Sequence, residues 1–368
     1  MRRAGRALAT ACAALGAVVL LAGAGDGDTF HWPLPPDLPP PAVPAANPMT
    51  PDKVALGRHL FHDPRLSADG TQSCATCHRP ERAFTEDRPT SVGVTGQRGP
   101  RNAPTLANVA YLPVLTWHNP LLTTLEVQAL IPLFGEHPVE LGLAGREAEL
   151  FARLQAEPRY RHLFAQAFPA EAAQGDAALF TLATVTRALA AFQRTLLSSD
   201  SPWDRHRRSD PAAPLTPAQQ RGAALFFGDR LACQRCHAAP HFTDNLMHTG
   251  LAAPRTGFHR SGVPTTSAAL AELTGRADDA GRVRTPTLRN VAVTAPYLHD
   301  GSVPTLTALL RRHPAAGLTE AEIADLVAFL DTLTDARFLA EPAYRSPWCA
   351  PPDAPLTSLE SACPPPPR

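Results

Sequence analysis

Cys74-Ala75-Thr76-Cys77-His78 and Cys233-Gln234-Arg235-Cys236-His237 decide how this chain is read. In each stretch two thiols are spaced to add to the two vinyl groups of one haem, while the adjoining histidine stays close enough to ligate the iron. A single CxxCH could equally be a redox dithiol or half of a zinc site. Two copies, each with its histidine, favour covalent haem. Two haem c groups are therefore expected, attached at Cys74 and Cys77 and at Cys233 and Cys236, with His78 and His237 as proximal ligands.

The sequence around the two motifs repeats. Gly57-Arg58-His59-Leu60-Phe61 precedes the first as Gly222-Ala223-Ala224-Leu225-Phe226 precedes the second. Pro104-Thr105-Leu106-Ala107-Asn108-Val109-Ala110 is matched by Pro286-Thr287-Leu288-Arg289-Asn290-Val291-Ala292. Twelve residues on from Thr105 stands Trp117, and twelve on from Thr287 stands His299, so one corner carries an indole in one half and an imidazole in the other. Helix signals dominate. Thr50-Pro51, Thr216-Pro217-Ala218-Gln219 and Thr319-Glu320-Ala321-Glu322 read as N-terminal caps, and Asp176 to Leu197 has apolar residues at helical spacing. Strand alternation is nearly absent. The expected fold is mainly α: two related c-type cytochrome domains, one covalent haem each, arranged with pseudo-two-fold symmetry.

Lys plus Arg and Asp plus Glu number 34 each among 368 residues, which gives no electrostatic case for nucleic acid or an anionic membrane surface. Residues 1–25 read as a signal peptide: Arg2, Arg3 and Arg6, an apolar run from Ala7 to Leu21, then Ala22-Gly23-Ala24. No later segment offers the ~18 apolar residues a membrane span needs. An exported, soluble, periplasmic protein is expected. Residues 26–50 form a Pro-rich arm, 51–205 and 206–340 the two haem domains, and 341–368 a Pro-rich tail. Cys349 and Cys363 in that tail are candidates for a disulfide, since an exported chain meets oxidising conditions.

From about Lys53 to Leu333 the chain resembles the bacterial di-haem cytochrome c peroxidase and MauG superfamily. The marks are Leu56-Gly57 through Asp63-Pro64-Arg65-Leu66-Ser67, Gly99-Pro100-Arg101-Asn102-Ala103-Pro104, Asp200-Ser201-Pro202-Trp203-Asp204, and Leu288-Arg289-Asn290-Val291 through Thr294-Ala295-Pro296-Tyr297-Leu298-His299-Asp300-Gly301. Leu115-Thr116-Trp117-His118-Asn119-Pro120 and Leu133-Phe134-Gly135-Glu136-His137-Pro138-Val139-Glu140-Leu141 look most like the methanobactin-associated, MbnH-like branch. The resemblance implies distal-pocket roles for Gln128 and Glu140, although two extra residues separate them here, and a place between the haems for Trp117. It implies one calcium ion at Asn102, Thr294 and Pro296, the last two through backbone carbonyls, a hard-oxygen site. It sets His299 beside the second haem and His313, fourteen residues further on, as that haem's sixth ligand; a helix-capping role for His313 is the alternative, and Met247 is the sole plausible thioether. Where family peroxidases carry a histidine that blocks the first iron, this chain has Val94. The first haem is thus expected to be five-coordinate, with His118 and His137 as the alternative ligands.

These expectations describe an oxidoreductase that uses hydrogen peroxide. Glu140 is the expected acid and base, Gln128 the residue that orients peroxide, and Trp117 the path for an electron from a bis-histidine haem. The expected substrate is an aromatic residue of a periplasmic partner protein. The alternative is a cytochrome c peroxidase drawing electrons from a small cytochrome or cupredoxin, and a third reading is a di-haem electron carrier without enzymatic activity.

Overall fold

Threonine hydroxyls start the principal helices. Thr50 accepts the Lys53 amide at 3.2 Å and opens α1 (Pro51–Phe61), with Pro51 in the first turn where no amide is needed. The long apolar stretch after Asp176 does not run as one helix. A short turn, Asp176–Leu179, ends at Phe180, and Thr181 opens α2 (Leu182–Arg194). Thr181 and Thr184 exchange side chain and amide at 3.1 and 3.2 Å, so the hydroxyls take the backbone groups that would have carried the helix through. Thr216 and Thr319 make the same reciprocal cap for α3 (Pro217–Phe227) and α4 (Glu320–Asp331). The computed structural model describes residues 30–263, 267–313 and 317–349; the signal segment and Cys363 lie outside them, and of Cys349 only the backbone lies within, so the Cys349–Cys363 pairing is not described.

α1 packs against α2 and α3 against α4. The repeated glycines explain both crossings. A Cβ on Gly57 would lie 1.9 Å from the Ala188 carbonyl oxygen, and one on Gly222 would lie 2.0 Å from that of Asp325, so each pair touches backbone to backbone where a side chain cannot fit. The repeated asparagines are equally alike. Asn108 and Asn290 both take left-handed backbone, φ 59° and 60°, each opening a turn of 3₁₀ helix, and asparagine tolerates that region better than most residues. Both reach Ser198: the Asn108 amide donates to its carbonyl at 2.9 Å, and that of Asn290 to its hydroxyl at 3.1 Å.

Among the described residues, regular strand is confined to one antiparallel ribbon, Phe258–Arg260 with Arg282–Arg284. The apolar side chains form two clusters. The first is built on Leu56, Leu60, Phe61, Leu189 and Phe192 and extends to Phe338, Tyr344 and Trp348. The second, on Phe226, Phe242, Leu326 and Phe329, draws only on residues between Trp203 and Leu333. Trp348 is pinned to the first cluster: its indole donates to His59 O at 3.0 Å, and the guanidiniums of Arg65 and Arg159 lie 4.8 and 5.3 Å from its ring centre. The Pro-rich arm is tied down too, with Tyr111 Oη donating to Pro39 O at 2.9 Å and Asn47 Nδ2 to Glu126 at 2.7 Å.

Arg289 is fully buried and bonds both carboxylate oxygens of Asp204 at 2.7 and 2.8 Å. Burial pushes the Asp204 carboxyl upward, but the bonds from Arg289 and Ser201 outweigh it and leave the group below its ordinary range. Arg289 also donates to Pro240 O at 2.9 Å through Nε, which fastens the loop after the second CxxCH. No described helix is long and apolar enough to cross a membrane.

Candidate functional site

Each CxxCH borders its own cavity. Cys74 and Cys77 sit on one helical turn, held by the Ser73 amide donating to Thr76 Oγ1 at 2.9 Å, and His78 follows. The chain then doubles back through Phe84, φ 61°, whose carbonyl lies 2.8 Å from His78 Nδ1. The second motif repeats the device with Phe242, φ 54°, and His237 Nδ1 at 3.2 Å. Nδ1–H therefore donates to the backbone and Nε2 is left for a metal, the usual support of an imidazole ligand. Burial lowers both imidazoles below their ordinary range and keeps them in the neutral, ligating form. All four cysteines are unpaired. Burial pushes the Cys74 and Cys77 thiols up to about 12 and about 11, away from the lowered values of redox-active dithiols.

The second cavity, 180 Å³, contains His237 and His313 on its walls. Their ring centres are 6.4 Å apart at an interplanar angle of 50°. Two metal–imidazole bonds of about 2.0 Å, each with roughly 1.1 Å more to the ring centre, span about 6.2 Å. The ring-centre spacing of the pair is the one that an iron held by both imidazoles would require. Burial, with His237 adding repulsion, lowers His313 to about 4, so both rings are neutral. His299 lines this cavity as well and meets His118 edge to face at 5.1 Å.

The first cavity, 430 Å³, is lined by Cys74, Cys77, His78, Gln128 and Glu140. No described ring stands opposite His78 as His313 does opposite His237. His118 reaches the wall, but its Nδ1 accepts from Arg101 Nε at 3.2 Å and its Nε2 lies 3.3 Å from Ser267 Oγ. His137 is exposed and outside the lining. The Val94 amide donates to Glu140 O at 2.8 Å, so this position holds the backbone of Glu140 and offers the cavity no ligand. Burial raises the Glu140 carboxyl above its ordinary range, and Glu86 adds repulsion. Glu86 escaped the sequence reading. It is buried, raised by that burial, and accepts a short hydrogen bond from Ser91, itself on the cavity wall.

Trp117 lines both cavities. Its indole donates to Asn102 O at 2.8 Å, and the Asn102 amide donates to His299 O at 2.8 Å, so one backbone segment ties the indole corner to the imidazole corner. Asn102, Thr294 and Pro296, the residues expected to hold calcium, all border the second cavity. Asn102 Nδ2 donates to the carbonyls of Arg88 and Pro89, both at 3.2 Å.

The fold and these paired cavities define a class, the di-haem c-type cytochrome enzymes. The family described as di-haem cytochrome c peroxidase matches residues 51–212, and a RoxA-like, cytochrome c-like family matches residues 284–315. The methylamine utilization protein MauG of Methylorubrum extorquens is 36% identical over 82% of this chain and 82% of its own length. Cytochrome c peroxidase Ccp of Escherichia coli is 35% identical over 79% of this chain and 60% of its own. A solved structure described as a MauG-like protein associated with microbial copper homeostasis matches at a TM-score of 0.80 with 41% identity, covering 87% of this chain and 99% of that one. The chain belongs to the di-haem cytochrome c peroxidase and MauG family, whose members are oxidoreductases.

Proposed function

We propose that the chain uses hydrogen peroxide to oxidise an aromatic residue, a tryptophan, of a periplasmic partner protein. The observation that carries this reading is the asymmetry of the cavities. His237 has an imidazole facing it at 6.4 Å, and His78 has none among the described residues. Cys74, Cys77 and His78 would hold one haem, and Cys233, Cys236, His237 and His313 the other, within related domains at 51–205 and 206–340. Bound haem supplies an open coordination position and redox-active iron. Glu140, raised by burial, takes a proton from one peroxide oxygen and returns it to the departing one. Gln128 orients the peroxide and the water formed. Reduction of peroxide to two waters consumes two protons and two electrons, and Trp117, on the wall common to both cavities, carries the one that comes from the second site. Asn102, with the carbonyls of Thr294 and Pro296, would hold calcium and stiffen that wall. The partner reading draws on the neighbour associated with copper homeostasis.

The second reading, peroxide removal with electrons from a small cytochrome or cupredoxin, is favoured by the likeness to Ccp of Escherichia coli. One equivalent of peroxide added to the ferric holoprotein separates them. A long-lived state oxidised by two electrons, with both haem spectra changed, is expected. Immediate return by a reduced cytochrome with high turnover overturns the first reading in favour of the second, and no reaction removes both.

A further inference from the structure

Gln128, the residue assigned to orient peroxide, sits on a helical turn too short to hold itself. Leu125–Gln128 is four residues long, far below the ~12 at which an isolated helix becomes even marginal in water. Its own cap is a single long bond, Thr124 Oγ1 accepting the Val127 amide at 3.4 Å. Leu125 is anchored in the first apolar cluster, and Val127 is exposed. Residues two apart on a helix project about 200° apart, so Glu126 leaves the turn on the side away from Gln128. There it accepts three hydrogen bonds. Arg194 Nη2, at the end of α2, donates to both carboxylate oxygens at 2.8 and 2.9 Å, and Asn47 Nδ2 donates to Oε1 at 2.7 Å. Asn47 belongs to the Pro-rich arm and is itself held: its Nδ2 also donates to Arg187 O at 3.0 Å, and its Oδ1 accepts from Lys53 Nζ at 3.3 Å. The arm is fixed earlier along its length as well, where Pro40 O accepts the Thr249 amide at 3.1 Å. Gln128 and Gln193, the neighbour of Arg194, line the first cavity. Asn47, Glu126 and Arg194 line neither cavity, so these contacts are made outside the space a haem would fill.

We propose that Glu126, clamped by Arg194 and by Asn47 of the arm, is a positioning residue that sets Gln128 against the first cavity, which makes the Pro-rich arm a working part of that site. The inference rests on Gln128 orienting peroxide. Glu126 touches no reactant and moves no proton. Its bonds to a buried guanidinium and a buried amide are charge-assisted, the stronger kind. They fix the turn to α2, whose Leu189 and Gln193 form part of the same cavity wall. Release of the turn moves the Gln128 amide relative to that wall, and a displacement of about 1 Å can cost up to about a hundredfold in rate.

The test is a double-mutant cycle on haem-loaded protein, with the reaction of the first haem with peroxide followed by stopped flow and the C–O stretch of the ferrous carbon monoxide adduct by infrared. Gln128→Leu should slow the reaction and shift the C–O band, which registers the hydrogen bond at the open position. Glu126→Gln should slow the reaction about ten- to a hundredfold and move the band toward that of Gln128→Leu. In the Gln128→Leu background the same change should alter the rate by no more than about twofold, because its effect runs through Gln128. Asn47→Ala leaves the ion pair intact and should show the same pattern to a smaller degree; it takes the place of Glu126→Gln if that chain does not load haem. Equal slowing by Glu126→Gln in both backgrounds overturns the positioning role. Wild-type rate and band in Glu126→Gln, with both changed in Gln128→Leu, overturn the role of Glu126 and leave that of Gln128 standing. If Gln128→Leu itself changes neither, the reading beneath the proposal falls and the proposal with it.

Discussion

Replacing His313 with alanine removes the imidazole facing His237, and the structure dictates the size of the result. The cavity around the pair has three imidazoles on its walls, those of His237, His299 and His313. His299 is engaged edge-on with His118, and neither Met247 nor Met49 lines the cavity. No described side chain stands ready to take the vacated position. In ferric holoprotein the wild type should hold one high-spin and one low-spin iron per chain, and His313→Ala two high-spin irons. The integrated high-spin EPR signal should therefore double and the low-spin signal vanish. Added free imidazole should enter the space and restore the low-spin signal. His313→Met should stay low-spin but titrate at a higher potential, since a thioether favours the ferrous state more than a second imidazole does. An alanine variant that keeps its whole low-spin signal without added imidazole would show that His313 is not the ligand.

Glu140→Gln should slow the reaction of the first haem with peroxide by ~10² or more, followed by stopped-flow absorbance; an unchanged rate removes Glu140 as the base. The base form is needed, so in wild type that rate should rise with pH through the elevated Glu140 value. Glu86→Gln removes a repelling carboxylate, so the acid limb should move to lower pH. Asp204→Asn strands the buried Arg289 cation and should cost about 3–5 kcal/mol, or roughly 10 °C in thermal unfolding. The Asp204 carboxyl lies below its ordinary range, so its contribution is present above the unfolded value of 3.8 and is lost as pH falls through the folded one. Gly57→Ala and Gly222→Ala should each destabilise by at least ~1–3 kcal/mol, because the obstacle is a carbonyl of the facing helix and not a side-chain tip; unfolding in denaturant measures it.

The parts of this molecule that could be read from the chain are those whose chemistry is local. Two thiols and a histidine within five residues carry their meaning wherever they fold, and the glycine and asparagine repeats announced equivalent corners before the crossings behind them were visible. Caps at Thr50, Thr216 and Thr319 were legible because capping acts within three residues. The same local chemistry was overlooked at Thr181, where apolar periodicity masked a threonine pair that splits the helix. What stayed hidden depends on distant segments. Arg284 meets Thr116 across 168 residues, and nothing near either position signals it. Glu86 gains significance only from burial near Glu140. Trp348 lies in the stretch read as a Pro-rich tail, and its partners are His59, Arg65, Arg159 and Tyr160, which no local pattern signals.

That last attachment sets an order of assembly. The cluster around Phe226 and Phe329 is complete once Leu333 has left the ribosome or the export channel, whereas the one around Leu56 and Phe61 still awaits Phe338, Tyr344 and Trp348. The half that is synthesised first is closed last. A chain cut short before Phe338 would therefore lack Phe338, Tyr344 and Trp348 from the first apolar cluster, on whose Phe84 the support of His78 depends, while keeping the second cluster whole.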